Sequence, residues 1–323
     1  MSYEEDEKKH SGKAMKVIKM LGKLLSVVAI VYVVKRMVGM DIPIEQLASA
    51  KSIVLLVLLV IYQTVKLFTG CLPWRCFIQA FSHKEIPHKQ TAIVYIKSNI
   101  LKYVPGNVFQ YIGRNELAVK LGIPHASVAT ATIFDVGVNF AVAVLIALCL
   151  MGKTAWDYLK QNGQTLLLLI GVFVVLLIIF VILSLKLGWA ERILQAIKSM
   201  TWSDAGLIGK AIAYYCLLNL LGSVQFLLIC FFMLGIRFNI GEAFYLSGAN
   251  VLSFVIGFIT PGASGGIGVR EGVMILLTSD MMPGGMIAFA MVISRIIGIA
   301  GDVLAYLVVR VMEWRVRCKN GMK

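Results

Sequence analysis

The residues best suited to chemistry in this chain are two arginines that follow two Pro-Gly dipeptides at the same distance. Arg114 follows Pro105-Gly106 and Arg270 follows Pro261-Gly262, each nine positions after its proline. The planar guanidinium group of arginine binds phosphate oxygens through two parallel hydrogen bonds. A third Pro-Gly dipeptide, Pro283-Gly284, has no arginine at this spacing. The repeated motif predicts two halves that each contribute to one anion site, although Pro-Gly turns also occur purely for packing.

The elements that position these arginines are predicted to be helix-to-helix tips. Glycine permits a tight reversal, and proline loses no hydrogen bond in the first turn of a helix, so a helix should begin just after each tip. The free N–H groups of such a helix start attract anions. The candidate substrate-binding residues are therefore Pro105, Gly106, Asn107, Arg114, Pro261, Gly262, Gly268, Arg270 and Glu271.

Four other charged residues lie in or beside apolar segments and are candidate pathway residues: Glu116, Asp135, Arg295 and Asp302. Arg295 and Asp302 are seven residues apart, which places them on the same face of a helix about 10 Å from each other. Charges at membrane depth mark substrate or ion pathways, but an ion pair that joins helices is an equally good interpretation. Lys97 and Lys102 are expected to reach toward water rather than to bind substrate.

The composition identifies an integral membrane protein. The 323 residues are 59% hydrophobic and 15% charged, against about 25% charged residues in soluble domains. A bilayer requires roughly 20 apolar residues per helix. The sequence predicts about six spanning helices, near residues 17–38, 52–68, 127–150, 165–185, 211–234 and 284–309.

Basic residues cluster before the first predicted span, after the last one and in segments 75–89 and 186–210. Because cytoplasmic loops carry such an excess, both termini are predicted to face the cytoplasm. Six spans agree with this placement of the loops only if segments 91–119 and 242–280 do not cross the membrane. Both segments are therefore predicted to form re-entrant hairpins that enter from opposite sides, as in an inverted repeat. Two additional short spans are the competing interpretation. The predicted organisation is a cytoplasmic tail at 1–14, a transmembrane domain at 15–312 and a basic cytoplasmic tail at 313–323.

Several other chemistries receive little support from the sequence. Segment 262–266 fits Gly-x-Ser-x-Gly, but the four histidines that could activate a serine lie in predicted loops or the N-terminal tail. No metal site and no cofactor are predicted, and the six cysteines resemble small apolar residues. The net charge of +14 is attributed to contact with anionic lipid rather than with nucleic acid.

Segments 101–114, 121–123 and 260–272 resemble the transmembrane region of lysylphosphatidylglycerol synthases, and the resemblance extends over nearly the whole chain. That family includes stand-alone flippase-like proteins, and its transmembrane region is implicated in moving anionic or aminoacylated phospholipid between leaflets. The resemblance implicates both Pro-Gly motifs, both arginines, Gly268 and Glu271. Asp135 stands where many members carry a glutamate. The chain stops at Lys323, without the soluble domain that transfers lysine from tRNA.

The resulting expectation is a flippase of the cell membrane for a lipid with an anionic phosphate headgroup: phosphatidylglycerol, lysylphosphatidylglycerol or a polyprenyl-phosphate sugar. Envelope charge and resistance to cationic peptides would depend on such lipid movement. The alternative is an enzyme related to phosphatidylglycerol lysyltransferase, or its membrane subunit, and a structural scaffold is third. The expected partners are the anionic lipid and the bilayer, and the sequence leaves a homo-oligomer open.

Overall fold

A computed structural model describes residues 49–103, 109–161, 201–260, 266–279 and 281–321 of the chain. In this part of the chain the structure is helical and contains no β-strand. The α-helices are α1 Ala50–Thr69, α2 Cys71–Ser82, α3 His88–Asn99, α4 Phe109–Val119, α5 His125–Gln161, α6 Trp202–Leu228, α7 Ile240–Ile259, α8 Val269–Thr278 and α9 Gly284–Gly321. A 3-10 turn, Ile100–Tyr103, follows α3, and a π-helical turn, Ile229–Met233, extends α6.

Five segments of the described chain are long and apolar enough to cross a membrane. Four of them contain predicted spans, which confirms the membrane character that the composition indicates. They are Ala50–Ser82, His125–Gly152, Trp202–Met233 and Gly284–Arg315. The fifth is Ile240–Ile259, which lies where the first arm of the second hairpin was predicted. The predicted spans at 17–38 and 165–185 and the N-terminal tail lie outside the described residues.

The order of helices repeats around the two Pro-Gly motifs. A short helix follows each motif, α4 with 11 residues and α8 with 10 residues, as the sequence predicts. A long helical segment then follows each short helix: α5, which is kinked at Gly152 where the backbone is non-helical (φ 43°, ψ −131°), and α9 with 38 residues. The helices that precede the motifs differ in length, because α3 has only 12 residues whereas α7 has 20.

The two halves also pack against each other reciprocally. Helix α3, which precedes the first motif, contacts α9 of the second half, and α7, which precedes the second motif, contacts α5 of the first half. Gly248 allows the latter contact, because a Cβ atom there would lie 2.9 Å from the carbonyl oxygen of Ala147. Small residues at such crossings let helix backbones approach closely. The helix that precedes each motif therefore packs on the long helix that follows the other motif.

Candidate functional site

Helix α9 carries a fully buried carboxylate, Asp302, that binds the end of the segment leading to the first Pro-Gly motif. Lys102 Nζ lies 2.5 Å from Asp302 Oδ2. Tyr103 donates its hydroxyl to the same oxygen at 2.5 Å, and Asn99 donates to Asp302 Oδ1 at 3.2 Å. Lys102, for which the sequence predicts only a solvating role, thus forms an ion pair. The interaction fixes the segment that precedes the first motif to α9.

Helix α9 also binds α8, the short helix that follows the second motif, through Arg295. Its guanidinium lies 2.8 Å from Glu271 Oε1 on α8. The other oxygen of Glu271 accepts a hydrogen bond from the backbone N–H of Gly268 at 2.7 Å. Glu271 therefore occupies part of the helix start that the sequence predicts to be open for an anion. Arg295 and Asp302 each bind the flank of a different motif.

Lys66 of α1 is a third cation in this region, and sequence reasoning missed it. Its ammonium group donates to Gln225 Oε1 of α6 at 2.7 Å, and it lies within electrostatic reach of Arg270, Lys102 and Asp302. The sequence did contain a signal for this residue, namely a lysine inside a predicted apolar span, because charged residues in such spans are rare and usually functional.

The close packing of α1 on α9 places Lys66 there. Thr64 donates its hydroxyl to the carbonyl oxygen of Gly301 at 3.2 Å. A Cβ atom at Gly301 would lie 2.5 Å from Cγ of Gln63, so a larger residue would push the two helices apart. Gly301 directly precedes Asp302 in α9, and Thr64 lies two residues before Lys66 in α1.

Arg270 is the fourth cation. It donates to Asn250 Oδ1 of α7 at 3.1 Å and packs over the ring of Phe254, whose centroid lies 5.5 Å away. Its Nε is buried and finds no hydrogen-bond partner in the described part of the protein. Two charged residues lie within electrostatic reach of it, the carboxylate of Glu271 and the like-charged Arg295. Arg270 thus has a neutral hydrogen-bond partner, one attractive and one repulsive charged neighbour, and spare donor capacity.

We call these six charged residues the central cluster: Lys66, Lys102, Arg270, Glu271, Arg295 and Asp302. Four are cations and two are carboxylates, so in the part of the chain that the structure describes the cluster has two more positive than negative charges. The carboxylates are enclosed, with side-chain exposures of 0% and 6%, whereas Lys102 and Arg295 are 32% and 26% exposed. Lys66 and Arg270 are partly exposed as well. The accessible side of the cluster is therefore basic, and it can bind an anion.

Arg114 lies in a different and closed environment. Its guanidinium is 3.1 Å from Asp135 Oδ2 on α5, and Tyr215 of α6 donates to the other carboxylate oxygen. The Tyr95 ring stacks against Arg114 with its centroid 4.2 Å away. Arg114 is 3% exposed and Asp135 is 7% exposed. This pair joins α4 to α5, as Glu271 and Arg295 join α8 to α9.

The structure therefore separates the two arginines that the motif predicts to act together. Within the described residues, Arg114 and Arg270 share no partner; Arg114 pairs with the predicted Asp135, and Arg270 belongs to the central cluster. Glu116 is exposed on α4. The tips themselves, which comprise Pro105, Gly106, Asn107, Pro261 and Gly262, lie outside the described residues.

Among the described residues, no group of three or more histidine, cysteine, aspartate or glutamate side chains is placed to hold a metal ion. No protein-family model matches the chain, and neither a curated protein nor a solved structure is significantly similar to it.

Proposed function

We propose that this protein is a flippase that moves a lipid with an anionic, phosphate-containing headgroup between the leaflets of the cell membrane. The observation that carries the proposal is the charge of the central cluster. Uncompensated charges within a membrane are costly, so a site with two excess cations is stabilised when an anion binds. The resemblance of the sequence to lysylphosphatidylglycerol synthases agrees with a phospholipid substrate.

In this proposal Arg270 and Lys66 bind the headgroup directly. Each has only a neutral amide oxygen as its hydrogen-bond partner among the described residues, Asn250 for Arg270 and Gln225 for Lys66. Both can therefore turn toward a phosphate without leaving a carboxylate unpaired. Arg114 holds the fold instead, because its charge is already neutralised by Asp135. The acyl or prenyl chains of the lipid remain in the bilayer.

Transport follows from a rocking motion of one half against the other, as in transporters built from inverted repeats. The repeated order of helices and the reciprocal packing of α3 and α7 support two equivalent halves. In the proposed topology both termini face the cytoplasm, and the segments around the two Pro-Gly motifs enter the membrane from opposite sides. The central cluster lies where the flanks of both motifs meet α9, so motion of either half changes its access.

The function is tested with purified protein in liposomes that contain a fluorescent anionic lipid in both leaflets. Wild-type protein should expose the inner-leaflet probe to an impermeant quencher, and Arg270→Gln and Lys66→Gln should each slow this exposure by about tenfold or more, the loss expected for a charge-assisted hydrogen bond. Lys210→Gln is the matched control, because Lys210 is exposed on α6 and is not part of the central cluster. Normal transport by both folded cluster variants would exclude the proposed site.

The topology is tested with single cysteines at Lys89 and Gly241, which are exposed at the starts of α3 and α7. In a cysteine-free background, a membrane-impermeant maleimide should label them from opposite sides of the membrane. Labelling of both from one side would contradict the inverted arrangement.

A further inference from the structure

We propose that the headgroup bound by the central cluster carries a phosphate dianion, as in a lipid phosphomonoester or a lipid diphosphate, rather than the single charge of a phosphodiester. This inference rests on the proposed function and narrows its substrate class. It excludes phosphatidylglycerol, which has one negative charge, and its lysyl ester, whose amines add positive charge, as the preferred substrate.

The charge balance of the cluster is the first argument. Lys102 and Arg295 each have a carboxylate partner, at 2.5 Å and 2.8 Å respectively. Among the described residues, the hydrogen-bond partners of Lys66 and Arg270 are neutral amides, so there the six-residue cluster keeps two more positive than negative charges. In a low-dielectric site, a monoanion leaves one of them unbalanced, whereas a dianion balances both.

The arrangement of the two uncompensated cations is the second argument. Lys66 and Arg270 lie within electrostatic reach of each other, so without a ligand they repel. An anion between them replaces this repulsion with two attractions. The guanidinium of Arg270 also has a buried Nε donor without a partner in the described part of the chain. A terminal phosphate group, which presents three acceptor oxygens, suits a bidentate guanidinium and an ammonium group at once.

The chemistry of the ligand provides a test that needs no variant. Phosphatidate and phosphatidylglycerol with identical acyl chains are titrated against the full-length protein in detergent. A phosphomonoester loses its second proton near pH 6. At about pH 7.5 phosphatidate should bind about tenfold more tightly or better, and at about pH 5.5, where it is largely a monoanion, this preference should shrink toward one.

Phosphatidylglycerol is the internal control in this titration, because a phosphodiester does not titrate in this range. Its affinity reports any protonation of the groups that face the ligand, namely the six residues of the central cluster and Tyr103. If the affinity for phosphatidylglycerol changes with pH as much as the affinity for phosphatidate, the dianion is not what the site recognises.

Charge removal provides the second test. Lys66→Gln reduces the excess to one positive charge, so the preference for phosphatidate at about pH 7.5 should fall to within about threefold while phosphatidylglycerol still binds. Arg270→Gln should have the same effect, and Lys210→Gln should leave the preference unchanged. An undiminished preference in both folded cluster variants would overturn the charge argument.

Inorganic phosphate distinguishes a lipid headgroup from a free ion. It should compete with phosphatidate only at concentrations about a hundredfold higher or more, because it lacks the buried chains that contribute about 0.8 kcal/mol per CH₂ group. Equal competition would overturn the assignment to a lipid. The failures are separable: equal binding of both lipids contradicts only the dianion, whereas a lack of transport of any anionic lipid contradicts the flippase itself.

Discussion

Replacement of Arg114 by glutamine should destabilise the protein, whereas the same replacement at Arg270 should not, although the two arginines occupy matching positions in the sequence. Arg114 is 3% exposed and lies 3.1 Å from the carboxylate of Asp135, itself 7% exposed. Glutamine would leave that carboxylate buried without a countercharge, even though Tyr215 still donates to it. The stacking of the guanidinium on Tyr95 would be lost as well.

The size of the effect follows from this burial. Removal of one partner from a buried ion pair costs about 3–5 kcal/mol. With a change of about 2–4 °C per kcal/mol, Tm should fall by at least about 6 °C. In Arg270→Gln one hydrogen bond to Asn250 and the attraction to Glu271 are lost, while repulsion from Lys66 and Arg295 is relieved. The net change there should be within about 1 kcal/mol.

The assay is thermal unfolding of the purified protein in one detergent, measured for wild type, both single variants and Arg114→Gln/Asp135→Asn. The double variant removes the uncompensated charge and should recover more than half of the lost Tm, because replacement of both members of a buried pair is often nearly neutral. A wild-type Tm for Arg114→Gln, or an equal loss for Arg270→Gln, would refute the distinction between an arginine that holds the fold and one that binds ligand.

Two further predictions compare matched positions. Lys102→Gln should lower Tm by several degrees, because its partner Asp302 is fully buried. Lys97→Gln breaks a pair to a partly exposed carboxylate and should cost less than about 1 kcal/mol. Equal losses of Tm in thermal unfolding would contradict the burial argument. Gly248→Ala should cost about 1–3 kcal/mol, because its Cβ would meet the backbone of α5. A Cβ at Gly272 would have nothing within 4 Å, so Gly272→Ala should unfold at or slightly above the wild-type temperature. A lower Tm for Gly272→Ala than for Gly248→Ala would contradict the close approach of α5 and α7.

The sequence predicts local features well because they depend on local rules. Long apolar runs indicate the helices that can cross a membrane, and four of them appear in the structure near the expected residues. The helices after both Pro-Gly motifs also form as expected. Helix α7 shows where local rules end, because a helix of 20 residues is long enough to cross a membrane and its length fits both a spanning helix and one arm of the predicted hairpin.

The roles of individual charges were decided only by the tertiary structure. Arg114 and Arg270 have the same spacing from a Pro-Gly dipeptide, yet Asp135 neutralises the first and the second has only Asn250. Asp302 binds residues about 200 positions earlier in the chain, at sequence separations of 203 and 199. The sequence by itself determined which charges would lie in an apolar environment. Which of them compensate one another depends on how distant helices pack, and among the described residues that packing gives Lys66 and Arg270 neutral amide partners.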